Sequence, residues 1–109
     1  MKDINLNEIL DGLKDQIIDL AKKHAGDFKD LAVNDAEELV KNSREDIERW
    51  TRLLASNDIT QKEYKFLMGG LKDEAEMKAL KQQGLAKIKV DRFKKDLFNL
   101  LINTVFEVV

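Results

Sequence analysis

The 109-residue chain has no cysteine and no proline, and its aromatic residues are one tryptophan, one tyrosine and five phenylalanines. Lack of cysteine removes disulfides, thiolate nucleophiles and zinc–thiolate sites together, and leaves the redox compartment open. Lack of proline with so few aromatics favours long solvated helices over a sheet-rich sandwich, so the fold class reads all-α. Net charge is nearly absent too: 19 lysines and arginines face 21 acids, for a formal charge of −2. No global attraction to phosphate backbones or anionic lipid follows, and nucleic acid is not an expected partner. Long apolar runs are missing as well. The greasiest stretch, "LFNLLINTVFEVV" at residues 97–109, falls short of the roughly 20 residues that span a bilayer. The opening "MKDINLNEILDGL" alternates charge with leucine and lacks the apolar core and cleavage site of a secretory signal, so a cytoplasmic protein is expected.

What is present is charge, at 37% of residues, and a strong period. Leu10, Leu13, Ile17, Leu20, His24, Phe28, Leu31, Asp35, Leu39, Ser43, Ile47, Trp50 and Leu54 recur in steps of three and four, the mark of one helical face. Tyr64, Met68, Leu71, Ala75, Ala79, Gln82, Ala86, Val90, Phe93, Leu97, Leu100, Thr104 and Val108 repeat the pattern. Between them Asn57 and Asp58 suit a turn, and Thr60 with Glu63 makes a capping box that starts a new helix. The unbroken phase of each stripe predicts two long helices, a single 1–109 domain folded as an antiparallel hairpin with its turn near 57–59. Residues whose numbers sum to about 116 then face one another. The alternative is a single-chain up-down four-helix bundle with breaks near 26–34 and 84–90. Gly26, a helix start at Asn34 and Glu37, and Gly84 with the Leu80 and Leu85 pair of a Schellman stop point that way.

The last segment carries only Asn99, Asn103 and Glu107 as a thin polar strip, and the N-terminal strip, with Ile4, Leu6, Ile9, Ile17 and Ile18, is apolar on more than one side. One neighbouring helix does not cover such surfaces. Each large apolar side chain left in water forfeits roughly 1.5–3 kcal/mol. A homodimer of hairpins, closing a four-helix bundle, is therefore expected to self-associate through Ile9, Leu13, Ile17, Phe98, Leu101, Ile102, Val105 and Phe106.

Residues able to carry chemistry are sparse. The one histidine, His24, has Asp27 as its only carboxylate at helical spacing, which points to a packed histidine and to neither metal nor catalysis. The acids around Glu45, Asp46 and Glu48 sit beside Arg44 and Arg49 as a salt-bridged solvated face. Gly69-Gly70 belongs to no phosphate-loop motif. No catalytic, cofactor-binding or metal-binding residue is predicted, and no enzyme. The segment "KIKVDRFKK" gathers Lys87, Lys89, Arg92, Lys94 and Lys95, a candidate contact for an anionic surface. The leading expectation is a non-enzymatic helical interaction or scaffold protein, with an amphipathic lipid-surface binder as the second reading. Chain length, missing cysteines and two-helix layout resemble the small secreted WXG-type hairpins. Their Trp-x-Gly turn motif reads here as Trp50-Thr51-Arg52, without the glycine, and no family is assigned.

Overall fold

The first helix begins where a side chain replaces a missing backbone partner. Asn5 Oδ1 accepts from the Asn7 and Glu8 amides at 3.0 and 3.4 Å and starts α1, Leu6–Ala25. Glu8 in its first turn and Lys22, Lys23 and His24 in its last complement the helix dipole. The computed structural model describes residues 5–109; Ile4 and the Leu6 side chain lie outside what it describes. At Gly26 φ reaches 54°, a left-handed value that favours glycine, and a 3-10 turn at Gly26–Phe28 follows. The chain reverses there into α2, Lys29–Asn42, which jogs at Ser43 into α3, Arg44–Ala55.

The turn after α3 forms as its residues require. Asn57, with φ 63°, lets its own amide reach Leu54 O and that of Asp58 reach Leu53 O, a Schellman stop with asparagine in the glycine place. The capping box follows: the Glu63 amide donates to Thr60 Oγ1 at 3.1 Å and the Thr60 amide to Glu63 Oε1 at 3.0 Å. It opens α4, Gln61–Glu74, after which come the short α5, Lys78–Gln82, and the long α6, Lys87–Val108. No strand occurs among the described residues.

Four long segments therefore make the bundle: α1, the α2–α3 rod, α4 and α6. Helix α1 packs on α2 and α6, α4 packs on α3 and α6, and α5 sits against α2. Side chains do meet near the sums that a turn at 57–59 predicts: His24 with Asp96, Asp35 with the Leu80 amide, Thr51 with Tyr64. The two long helices, however, do not exist. Each would need about 75 Å for 50 residues, and the molecule is 43 Å in its longest dimension. Both halves are folded over, the first at 26–28 and the second at 75–77 and 83–86. Asn34 lies inside α2 and starts nothing.

Gly84 is a genuine helix stop: at φ 79° its amide reaches Lys81 O and that of Leu85 reaches Leu80 O, both bonds of the Schellman motif. Unbroken phase across a glycine thus did not mean an unbroken helix. A loop can restore the register when the segments on both sides face the same core. Gly84 and Ala86 are exposed; the small buried residues are Ala21, Ala25, Ala32 and Ala36, flanking the Gly26 corner where α1 and α2 pack together.

Folding over supplies the cover that the greasy ends need. Leu13, Ile17, Phe93, Leu97, Phe98, Leu101, Ile102 and Val105 form one core with Leu39, Val40, Ile47, Leu54, Tyr64, Met68 and Leu80. Of the C-terminal tail only Val108 and Val109 stay exposed among its large apolar residues. Polar groups inside the core are satisfied: Thr51 Oγ1 donates to Ile47 O at 2.6 Å, and the Tyr64 hydroxyl lies 3.1 Å from the same Oγ1, so it is the Tyr64 proton that bridges them.

Candidate interaction surface

Six of the eight apolar residues expected to form an interface between copies, Leu13, Ile17, Phe98, Leu101, Ile102 and Val105, are buried within the single chain, and Ile9 and Phe106 are half-buried. The structure does bring them together, as the α1–α6 core. Phe106 rests on the Tyr64 ring, with centroids 5.8 Å apart, and Lys65 Nζ stands 5.7 Å from its centroid. The apolar surface that called for a second copy is thus covered within one molecule: α1 and α6 cover each other, with α2 on α1 and α4 on α6.

The basic segment is divided in its roles. Lys94 Nζ donates to Ala75 O at 2.8 Å, tying α6 to the end of α4. Lys87, Lys89, Arg92 and Lys95 are exposed. Lys89 and Arg92 line a shallow cleft with Lys23, His24 and Asp27 at the Gly26 corner, and Ile88, 59% exposed, lies between Lys87 and Lys89 in the chain. Burial of His24 is nearly complete. Its Nε2 bonds Asp96 Oδ2 at 2.6 Å and its ring leans on Phe93, so it pins α1 to α6. Asp96 is 72 positions away and invisible to a search at helical spacing; the antiparallel sum rule would have found it within one turn.

The role of a second carboxylate on the stripe is likewise set by a distant partner. Asp35, 4% exposed on α2, accepts from the amides of Ala79 at 3.1 Å and Leu80 at 2.9 Å, and so caps α5 from another helix. Along α3, Arg44 with Glu48 and Arg49 with Asp46 form the solvated ion-paired face that the sequence suggested. Burial pushes the Tyr64 phenol above its ordinary value of 10.0.

One surface residue stands apart. Phe66 is 82% exposed, more than any other large apolar side chain among the described residues. Tyr64 and Met68 lie two positions to either side of it. Those two are fully buried, and a residue midway between two inward positions four apart points outward. Gly69 and Gly70 share its face at i+3 and i+4, and a Cβ on either would meet nothing within 4 Å. Lys62 and Asp73 lie on the same face, one turn before Phe66 and nearly two after, and among the described residues neither forms an ion pair within the chain. The outer side of α4 is therefore an apolar ring beside bare backbone, with a cation at one end and an anion at the other.

None of the described helices is long and apolar enough to cross a membrane. Comparison with protein-family models, with curated proteins and with solved structures finds no match, so the chemistry of its own surfaces is what speaks for its function.

Proposed function

We propose that this chain is a non-enzymatic helical interaction protein that docks a partner helix on the outer face of α4. The observation that carries the reading is Phe66, 82% exposed beside Gly69 and Gly70. Each glycine inside a helix costs roughly 1 kcal/mol against alanine, and neither position is crowded within the chain. Bare backbone next to a projecting ring suits close approach by another helix. The titratable groups that the tertiary structure gathers also support a non-catalytic role, because they hold helices: His24 with Asp96 joins α1 to α6, and Asp35 caps α5. The helix ends are not part of this proposal, since their side chains are already in the core.

Two measurements test it. The double substitution Gly69→Ala/Gly70→Ala is expected to stabilise the isolated protein by up to about 2 kcal/mol in denaturant titration; destabilisation means that the glycines serve the fold. A photo-crosslinking phenylalanine analogue at position 66, introduced in the cells that make the protein, is expected to yield a discrete protein adduct that the same probe at exposed Glu38 does not give. Equal labelling from both sites removes the reading.

A second reading has its own observation. Ile88, 59% exposed among Lys87, Lys89, Arg92 and Lys95, suits a lipid surface carrying negative charge. Co-sedimentation with phosphatidylserine vesicles at low salt tests it, and an unchanged supernatant fraction dismisses it.

A further inference from the structure

We propose that the partner of the α4 face is a second copy of this chain, docked antiparallel with Phe66 over the partner's Gly69 and Gly70 and Lys62 opposite the partner's Asp73. This rests on the reading of α4 as a docking face and adds the identity of what docks. Residues at equal height on two antiparallel helices have position numbers with a constant sum. Aligning Phe66 with the partner's Gly69 fixes that sum at 135, and the same sum sets Lys62 against the partner's Asp73. By twofold symmetry every contact occurs twice, so one register fills both bare stretches of backbone and joins both charge pairs.

The alternatives are worse. A parallel pair sets Lys62 against the partner's Lys62 and Asp73 against the partner's Asp73, and a slip of one turn in either direction removes Phe66 from the glycines. Nothing else on the face opposes the chosen register. Glu63 is held by the Thr60 amide, and Lys65 leans over Phe106 of its own chain. The docking strip is one 14-residue helix, about 21 Å long, which places the dimer in the small, transient class of interfaces. The fold of each copy does not depend on it, because the core is complete within one chain.

Sedimentation of four species decides the matter: the unaltered protein, Phe66→Ala, Lys62→Glu and Asp73→Lys, with a melting curve on each to confirm folding. Both charge reversals place the new charge favourably toward the α4 dipole, so neither is expected to unfold the chain. The unaltered protein is expected to show reversible dimerisation, weakened roughly 100-fold by Phe66→Ala and roughly 10-fold by either reversal. Mixing the Lys62→Glu and Asp73→Lys proteins restores opposite charges at both pairs, and a heterodimer near the original affinity is expected.

A protein that stays monomeric up to millimolar concentration overturns the self-partner; a Phe66 crosslink to some different protein then leaves the docking face standing with another occupant. Dimerisation that Phe66→Ala abolishes but the mixed reversals fail to restore overturns this register while keeping the face. Dimerisation indifferent to Phe66→Ala overturns both.

Discussion

The two ends of α4 are built in opposite ways. Its start is written in four consecutive residues, Thr60 to Glu63, whose side chains and amides satisfy one another. Its end, at Ala75–Met77, lies in "DEAEMK", a run of competent helix formers without glycine or proline. The helix stops there because distant groups take over its hydrogen bonds. Lys94 Nζ donates to Ala75 O, Asp35 accepts the first amides of α5, and Met77 is buried. A boundary satisfied locally survives in any tertiary setting, whereas one satisfied from elsewhere exists only once the bundle has closed.

Breaking the remote end is expected to cost most. Asp35→Ala leaves the Ala79 and Leu80 amides without their acceptors, for a loss of roughly 2–5 kcal/mol in denaturant titration, with faster hydrogen exchange at both amides. The start of α4 has a tertiary anchor of its own, and high pH loosens it. Unfolded, the Tyr64 phenol ionises near 10; folded, it holds its proton to higher pH. The unfolded state therefore binds fewer protons above pH 10, so stability is intact below that value and falls above it by up to about 1.4 kcal/mol per pH unit. Tyr64→Phe is expected to remove that share of the slope, and a slope identical in the two proteins counts against the buried phenol. Thr60→Ala tests the local end, with an expected loss of about 1 kcal/mol confined to α4's first turn. Lys94→Met is the smallest, roughly 0.5–1 kcal/mol for one partly buried hydrogen bond. Should Thr60→Ala cost more than Asp35→Ala, the contrast between the two ends is wrong.

Legibility in the sequence follows the same division. The all-helical class, the turn with its Asn57 and Thr60–Glu63 signals, and the packed place of His24 were readable because each depends on residues a few positions apart. Gly84 and Leu80 with Leu85 were also readable as a stop, yet stripe phase outweighed them. The three-residue bend at Gly26–Phe28 returns the chain to the same core, so phase carries no information about whether a helix is continuous. The greasy tail was correctly read as needing cover. What covers it was not: α1 and α4 of the same chain solve the burial problem that a second copy would have solved, and hydropathy does not distinguish them. Phe66 was legible in principle, since Tyr64 and Met68 inside force it outward.

By itself, the sequence determined that the chain is helical, where α4 begins, and that the apolar faces of α1 and α6 need cover, because helix period, capping chemistry and apolar transfer are local or additive properties. Tertiary structure alone decided that the halves fold over, that Asp35 caps a helix 44 residues on and that Asp96 holds His24. Those choices depend on which surfaces meet, and surfaces meet only when the entropy of closing the chain is offset by all the contacts at once.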